Sequence, residues 1–375
     1  ATFQPSYKGK QEGVVCKFDR TLSYLNWSSY LGGSNDEGIF SIDINSYGDL
    51  YVTGGTTSSD FPVTSGAYRT QFNGGSADAF ISCISANGVN LKGSTFWGSL
   101  SYDQGYFVRI GPDDEVYVFG QTKASDSSMM IDALYGQPNS GQFISKFSPL
   151  LDELRWSTVV GKGDGQPNIS PTAFMVDVCG RIYYSGWGRI WGNSYVNGNW
   201  YLWGTPFGTH GLAVTPDAVQ PITDGQDFYI AILSSEAAGL DYATFFGEQH
   251  YSGCSFSGHD HVDGGTSRFD PRGNIVQSVC ASCGGCQQFP TYPNPGAWSN
   301  TNHSTNCNNA IFKIHLKSDI ATANFIIPQS GCATYEVQFQ NTIVGLSFLW
   351  DFGDTISGAA NYSSLKNPSH TYHQA

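Results

Sequence analysis

The sequence has few charged residues, few basic residues and no long apolar run. Charged groups make up 13% of the 375 residues, and 18 Lys and Arg stand against 31 Asp and Glu, which gives a formal net charge of −13. Because phosphate binding needs clustered basic side chains, this balance excludes nucleic acid and disfavours an anionic membrane surface as partners. No stretch reaches the roughly 18 apolar residues of a spanning helix, so we expect no direct membrane insertion.

Cysteine, by contrast, is abundant for a chain of this length. There are nine cysteines, five of them between Cys254 and Cys307. A reducing compartment rarely tolerates so many thiols without a metal, so the count favours an oxidising, exported environment. Residues 1–4 have neither the basic start nor the apolar run of a signal peptide, and we therefore expect the export signal to lie outside this chain.

Glycine and aromatic residues are also abundant, and they follow three recurring patterns. Aromatic residues make up 14% of the chain, and there are 45 glycines. An apolar strand ends in a glycine turn at 30–33, 96–98, 159–161 and 245–247. A turn leads into an alternating strand at 48–54, 114–120, 180–186 and 273–278. A third apolar strand ends each unit at 79–84, 142–147, 228–233 and 309–314. One further copy of this strand, at 13–18, comes before the first unit.

This recurrence predicts an all-β protein built from repeated units. A repeated β unit that cannot cover its own apolar faces must stack on its neighbours, as the blades of a β-propeller do. We therefore predict a β-propeller over residues 1–319, with four full blades and part of another visible. The pattern changes after Ser318. Residues 320–375 are predicted to form a second domain, an incomplete β-sandwich.

The recurring residues resemble a known repeat. Segments 30–34, 49–54, 60–68 and 78–81 look like the bacterial SBBP-type β-propeller repeat. From about Ala323 the chain resembles a PKD domain, an immunoglobulin-like sandwich, through Trp350-Asp351-Phe352-Gly353-Asp354 and the segment 367–372. Propellers followed by PKD modules are typical of large Bacteroidetes cell-surface proteins of the type IX secretion and gliding-motility-associated family. Segments 262–270 and 307–310 are similar to that group as well.

The resemblance implies an architecture and a location more than an activity. It implies an extracellular protein, associated with the outer membrane at the bacterial cell surface. The expected partners are other surface or outer-membrane proteins of a secretion or gliding complex, with a glycan as a second kind of ligand. The resemblance also implies that Asp351 and Asp354 shape a bend beside Trp350 and take no part in catalysis.

An aromatic-rich insertion in the third unit is the best candidate binding surface. Its rings, interleaved with glycine and asparagine, could stack on a sugar or anchor a protein, or they could fold back as a satellite core. The candidate partner-binding residues are Trp187, Arg189, Trp191, Tyr195, Trp200, Tyr201 and Trp203.

The cysteine cluster of the fourth unit has two interpretations. Its members, Cys254, Cys280, Cys283, Cys286 and Cys307, are spaced so that they could form disulfides or a zinc-thiolate cage. An acidic, cysteine-rich, exported chain favours disulfides over zinc, so all five are disulfide candidates and no metal site is predicted.

Other polar groups carry no recognisable catalytic pattern. His259, Asp260 and His261 could act as acid and base or share a metal, but such residues more often hydrogen-bond a loop. The turn carboxylates Asp36, Glu37, Asp103, Asp113 and Asp114 could hold structural calcium, although capping of the backbone is the favoured role. We expect no catalytic residue and no cofactor beyond such calcium.

Two functions are compatible with these sequence features. The first is a non-enzymatic extracellular scaffold that binds protein or glycan, as a component or cargo of a type IX secretion or gliding-motility assembly. The alternative is a secreted propeller-type polysaccharide hydrolase or lyase, because propellers can place acidic pairs and aromatic rings around a central channel. Binding without turnover favours the first, and product release favours the second.

Overall fold

The computed structural model describes most of the chain. The described residues are 2–112, 114–188, 208–249, 253, 260–262, 267–270, 273–316, 335–339 and 349–372, together with the backbone of 193–196 and 199–202. The chain divides into two compact units, Ala1–His315 and Leu316–Ala375.

Among the described residues, all regular structure apart from three short 3-10 segments is β-strand. The 3-10 segments are Ser235–Ala237, Cys283–Gly285 and Thr355–Asn361. In the first unit the strands are β1 (Gly13–Phe18), β2 (Leu25–Leu31), β3 (Glu37–Ile44), β4 (Leu50–Thr56), β5 (Asp78–Ile84), β6 (Leu91–Trp97), β7 (Asp103–Ile110), β8 (Val116–Thr122), β9 (Gln142–Phe147), β10 (Leu154–Val160), β11 (Ile169–Val176), β12 (Ile182–Gly188), β13 (Asn193–Val196), β14 (Asn199–Leu202), β15 (Phe228–Leu233), β16 (Leu240–Phe246), β17 (Ser267–Phe269), β18 (Asn274–Ala281) and β19 (Asn308–His315).

These strands form a series of antiparallel sheets with one repeated topology. Three four-stranded sheets have the orders β3-β4-β5-β6, β7-β8-β9-β10 and β11-β12-β15-β16. Among the described residues a two-stranded sheet, β1-β2, precedes them along the chain, and a three-stranded sheet, β17-β18-β19, follows them. The small hairpin β13-β14 is inserted in the third large sheet, between its second and third strands. The all-β prediction is confirmed at this level.

The core lies between successive sheets. The third strand of each large sheet, β5, β9 and β15, is buried along its whole length, because both faces of the sheet are covered. Trp97 of one sheet meets Phe147 of the next edge to face, with ring centroids 5.7 Å apart. Phe119 likewise stacks on Phe174 at 5.4 Å. Aromatic contacts of this kind hold each sheet against its neighbour.

The repetition extends to buried polar pairs. Ser82 and Ser94 face each other across β5 and β6, and their hydroxyls hydrogen-bond at 2.8 Å. Ser145 and Ser157 do the same across β9 and β10, also at 2.8 Å. In the third large sheet the corresponding positions hold an alanine pair, Ala231 and Ala243. The chain therefore keeps either two hydroxyls or none at this site, which avoids a buried unpaired donor.

The second unit contains short strands around a small aromatic cluster. Its strands are β20 (Tyr335–Gln338), β21 (Trp350–Asp351), β22 (Tyr362–Ser363) and β23 (Ser369–Tyr372), paired as β20-β23 and β21-β22. Phe352 stacks on His370 with centroids 4.5 Å apart and on Phe339 at 5.1 Å.

The aspartates of the motif 350–354 have structural partners. Asp351 accepts hydrogen bonds from the Gly353 amide at 2.9 Å and from the Asn361 side chain at 2.8 Å. Asp354 pairs with His370 at 3.1 Å. These contacts stabilise the bend after Trp350 and agree with the structural role expected for both carboxylates.

Candidate functional site

The first strands of the sheets line a groove of about 1050 Å³ in the first unit. Lining residues come mainly from β1, β3, β7, β11 and β17, and they include Phe40, Asp43, Arg109, Phe174 and Arg268. The recurring sequence patterns lie on other strands, so these first strands were not predicted.

The polar side chains of this groove connect neighbouring sheets. Ser41 and Asp43 of β3 accept hydrogen bonds from the backbone amides of Val108 and Ile110 in β7, at 3.2 and 2.9 Å. Arg109 donates from Nε to the Phe174 carbonyl of β11 at 3.0 Å. Each contact satisfies a backbone group on the first strand of a sheet, at the edge where no further strand pairs. Their geometry fits a structural role.

Charge in the groove is dominated by arginine. Burial lowers the pKa of Arg109, and the nearby Arg268 lowers it further, while Asp43 opposes the shift. Asp43 is the one carboxylate among the described lining residues. Because glycoside hydrolysis uses two carboxyl groups, this lining does not match that chemistry.

A second groove, of about 970 Å³, opens beside β19. Its floor includes Phe246, Phe289 and Phe312, which pack together with ring centroids 4.5 to 6.4 Å apart. Its rim carries Tyr292 and Trp298, both almost fully exposed. We call it the β19 groove. It was not predicted, although a loop rich in Pro, Gly and Asn with isolated aromatic residues was the available signal.

The loop that forms the rim is fixed at its base. Gln287 donates to the Asn302 carbonyl at 2.6 Å, and the Asn302 amide donates back to the Gln287 side chain at 2.7 Å. The Asn302 side chain also donates to the carbonyls of Ser282 and Cys286, at 3.0 and 3.2 Å. The exposed rings are therefore carried by an anchored loop, which lowers the entropy cost of binding.

The predicted aromatic insertion lies mostly outside the described side chains. Trp187 is the exception: it lies in β12, it is partly buried, and its ring centroid is 5.9 Å from that of His261. This contact fits the packing alternative for Trp187. The side chains of the other candidates, Arg189, Trp191, Tyr195, Trp200, Tyr201 and Trp203, lie outside the described part of the chain, and their binding role stays a prediction.

The structure brings most of the cysteine candidates together. Cys283 and Cys307 form a disulfide, and Cys286 is disulfide-bonded as well. The sulfur of Cys280 lies 3.9 Å from that of Cys283. Cys254 lies outside the described residues, as does His259.

Buried carboxylates recur where one sheet follows another. Glu37 accepts the Gly33 amide at 2.9 Å, Asp103 accepts the Ser99 amide at 2.6 Å, and Asp260 accepts the Glu248 amide. Asp36 forms an isolated bridge with Gln11, Asp114 lies in a bend, and Asp113 is outside the described residues. Backbone capping at Glu37 and Asp103 agrees with the favoured interpretation of these residues.

Two aspartates at the start of third strands complete these junctions and were missed from the sequence. Burial raises the pKa of Asp78 to about 7, and the adjacent Asp103 adds to the rise. Burial also raises the pKa of Asp227 to about 6 and that of Asp260 well above its usual range. In the sequence, an aspartate directly before the apolar strands at 79–84 and 228–233 was the available signal.

No family model matches this chain, and no curated protein matches it. Among the described residues no helix is long and apolar enough to cross a membrane. The relationship to Bacteroidetes surface proteins therefore stays a prediction that depends on the motifs.

Proposed function

We propose that the protein is a non-enzymatic extracellular scaffold at the bacterial cell surface, which binds protein or glycan. In this proposal the sheets of the first unit are blades of a β-propeller, and the second unit is a PKD-like sandwich. Repetition of sheet order, hydroxyl pairs and junction carboxylates supports the first assignment. The Asp351 contacts within the motif 350–354 support the second.

The observation that carries the proposal is the β19 groove. Two almost fully exposed aromatic rings, Tyr292 and Trp298, stand at its rim above an apolar floor. Exposed aromatic rings stack on sugar faces and anchor protein interfaces. Amide side chains, Asn300, Asn308 and Asn309, border the same groove and offer both donors and acceptors to hydroxyl groups.

A polysaccharide hydrolase or lyase is the alternative function. It needs an acid and a base or nucleophile beside the bound sugar. The described residues that line the β19 groove include no carboxylate, and Asp43 is the one carboxylate among those that line the groove along the first strands of the sheets. One carboxylate oxygen of Asp43 already accepts a hydrogen bond from the Ile110 backbone amide. These arrangements favour binding over turnover.

A glycan panel tests the proposal. Immobilised protein is screened against neutral and acidic polysaccharides for retention, and the same mixtures are assayed for new reducing ends and unsaturated products. Retention without product release supports a binding scaffold, whereas turnover supports the enzyme. Trp298→Ala should weaken retention at least about 10-fold if the β19 groove is the site. Tyr47→Ala, an exposed aromatic in a turn outside the grooves, is the matched control.

Membership of a type IX secretion or gliding-motility assembly is the finer part of the proposal. It rests on the resemblance of the repeat and PKD-like motifs, and the disulfide Cys283–Cys307 supports an oxidising location. Crosslinking on intact cells, followed by purification from the outer membrane, tests it. Recovery with secretion or gliding components identifies a component or cargo, and recovery with none of them contradicts this part of the proposal.

A further inference from the structure

Nitrogen and sulfur ligands converge at the end of β18. One ligand atom each from His261, Cys280 and Cys283 lies within 4.8 Å of the other two. The backbones of His261 and Cys280 form an antiparallel bridge, with the Cys280 amide donating to the His261 carbonyl at 2.9 Å and the reverse bond at 3.3 Å. The two side chains are therefore placed by the backbone.

A tight turn brings Cys283 back toward Cys280. Ser282 and Gly284 both have positive φ angles, of 55° and 71°. Because a serine adopts this conformation only at a cost, the turn needs external support. The Asn302 side chain supplies it, through hydrogen bonds to the carbonyls of Ser282 and Cys286. The spacing Cys280-x2-Cys283 is also one that structural zinc sites use.

Cys307 adds a third sulfur, and thus a fourth ligand atom, to this set. Its sulfur is bonded to that of Cys283, so it lies beside the other ligand atoms. A cavity of about 290 Å³ is lined by both Cys280 and Cys307, and it gives a small ion or thiol access to the cluster. One imidazole and three thiols form a common ligand set for tetrahedral zinc.

The sulfur spacing also fits zinc. Zinc–sulfur bonds of about 2.3 Å in a tetrahedron place two sulfurs about 3.8 Å apart. Cys280 and Cys283 have their sulfurs 3.9 Å apart. Closing the zinc site would therefore need little movement of these two residues. Cys307 must separate from Cys283, because the same sulfur cannot bridge and serve as a thiolate ligand at once.

We propose that the reduced chain binds one Zn²⁺ through His261, Cys280, Cys283 and Cys307, and that formation of the Cys283–Cys307 disulfide abolishes this site. Two molecules of a small thiol supply the two electrons and two protons that open the disulfide, and they leave as one small-molecule disulfide. Zn²⁺ then displaces the protons of three thiols and binds neutral His261. Oxidation reverses the exchange and releases the metal.

Metal titration of the full chain tests this proposal. Protein reduced under nitrogen and freed of reductant is titrated with Co²⁺ and then with Zn²⁺. We expect one equivalent of Co²⁺ to give the charge-transfer and ligand-field bands of a tetrahedral thiolate site, and Zn²⁺ to displace it. The same protein after oxidation, shown by mass spectrometry to contain the Cys283–Cys307 bridge, should give no such bands with Co²⁺ and should not bind Zn²⁺ at this site. The oxidised arm needs no substitution, so a folding defect cannot mimic it.

Variants assign the ligands. Cys280→Ser and His261→Ala should each weaken binding of Zn²⁺ by the reduced chain at least about 10-fold. Cys179→Ser, an exposed cysteine in a turn of another sheet, should bind like the unmodified protein. The proposal is overturned if the reduced chain gives no thiolate bands, if both variants bind normally, or if the oxidised protein retains the site.

Discussion

Asp78 and Asp103 direct carboxylate oxygens at the same glycine, Gly98. A Cβ atom built on Gly98 would lie 2.9 Å from Asp78 Oδ1 and 2.9 Å from Asp103 Oδ2. Both aspartates are fully buried, although they come from different sheets. Gly247 occupies the corresponding place between Asp227 and Asp260. The glycine turn and the carboxylate pair are therefore one structural unit that joins successive sheets.

Gly98→Ala should destabilise the first unit. The added methyl group would contact two buried carboxylates that cannot withdraw without losing their partners, so we expect a loss of about 1–3 kcal/mol in the free energy of unfolding. Urea unfolding followed by tryptophan fluorescence measures it. Gly239→Ala is the control, because the nearest atom to a Cβ there is the Ser234 hydroxyl at 3.6 Å. Equal stability of the two variants would contradict this view of the junction.

Asp78→Asn should change how stability depends on pH. The folded protein raises the pKa of Asp78 from 3.8 to about 7. The neutral acid is therefore favoured in the folded state, and the stability it contributes is complete below about pH 4 and is lost as pH rises to about 7. The variant should exceed the unmodified protein by an amount on the order of 1–3 kcal/mol at pH 8, and by little at pH 4.

Urea midpoints from pH 4 to 8 check this expectation. Asp217→Asn, which alters an exposed carboxylate, is the matched control. A difference between Asp78→Asn and the unmodified protein that stays constant with pH would argue against a buried neutral acid. At the next junction an amide, Asn168, precedes β11 and donates to Asp164 at 3.2 Å, so a junction of this kind can contain an amide.

The hydroxyl pair Ser145 and Ser157 should show strong coupling. Ser145→Ala leaves the buried Ser157 hydroxyl without its 2.8 Å partner, and we expect a loss of about 1–3 kcal/mol. The double variant Ser145→Ala/Ser157→Ala should cost less than the sum of the single variants, because it reproduces the Ala231 and Ala243 pair of the next sheet. A double-mutant cycle by urea unfolding measures the coupling, and simple additivity would refute it.

The ion pair between Lys146 and Glu236 should contribute more to the free energy of unfolding than the exposed pair between Arg155 and Glu153. Lys146 is largely buried, and its ammonium group lies 2.6 Å from Glu236 Oε1, while the Trp156 indole donates to the other oxygen at 2.8 Å. Glu236→Gln should lower the free energy of unfolding by about 1 kcal/mol, and this loss should change little at high salt. Glu153→Gln, which breaks the exposed pair with Arg155, should cost less than about 0.5 kcal/mol. Thermal unfolding at two salt concentrations compares them, and equal losses would contradict the expected effect of burial.

The repeated strand pattern was readable from the sequence to within a few residues. The segments at 79–84, 142–147 and 228–233 correspond to β5, β9 and β15, and 13–18 is β1. These strands are rich in apolar residues and are short, so their signal is local. The first strands β3, β7 and β11 escaped notice because they mix polar and apolar residues. Several of their polar side chains find partners in the next sheet, which the sequence does not reveal.

The candidate sites were less predictable from the sequence, because they depend on contacts between segments that are far apart in the chain. The sequence indicated that Cys280, Cys283, Cys286 and Cys307 belong together with Cys254, because cysteines clustered in one segment are candidates for disulfides or a metal. It did not indicate Trp298, whose exposure depends on the course of a loop, or Asp78, whose neighbour Asp103 comes from the next sheet.

What the sequence determined by itself is the alternation of short apolar strands and glycine turns, because strand propensity and turn geometry act over a few residues. Only the tertiary structure decided which carboxylates are buried and which aromatic rings stay exposed to water. It also decided which sulfurs come within bonding distance of one another. These outcomes depend on packing between segments far apart in the chain, where burial and the proximity of charges are set together.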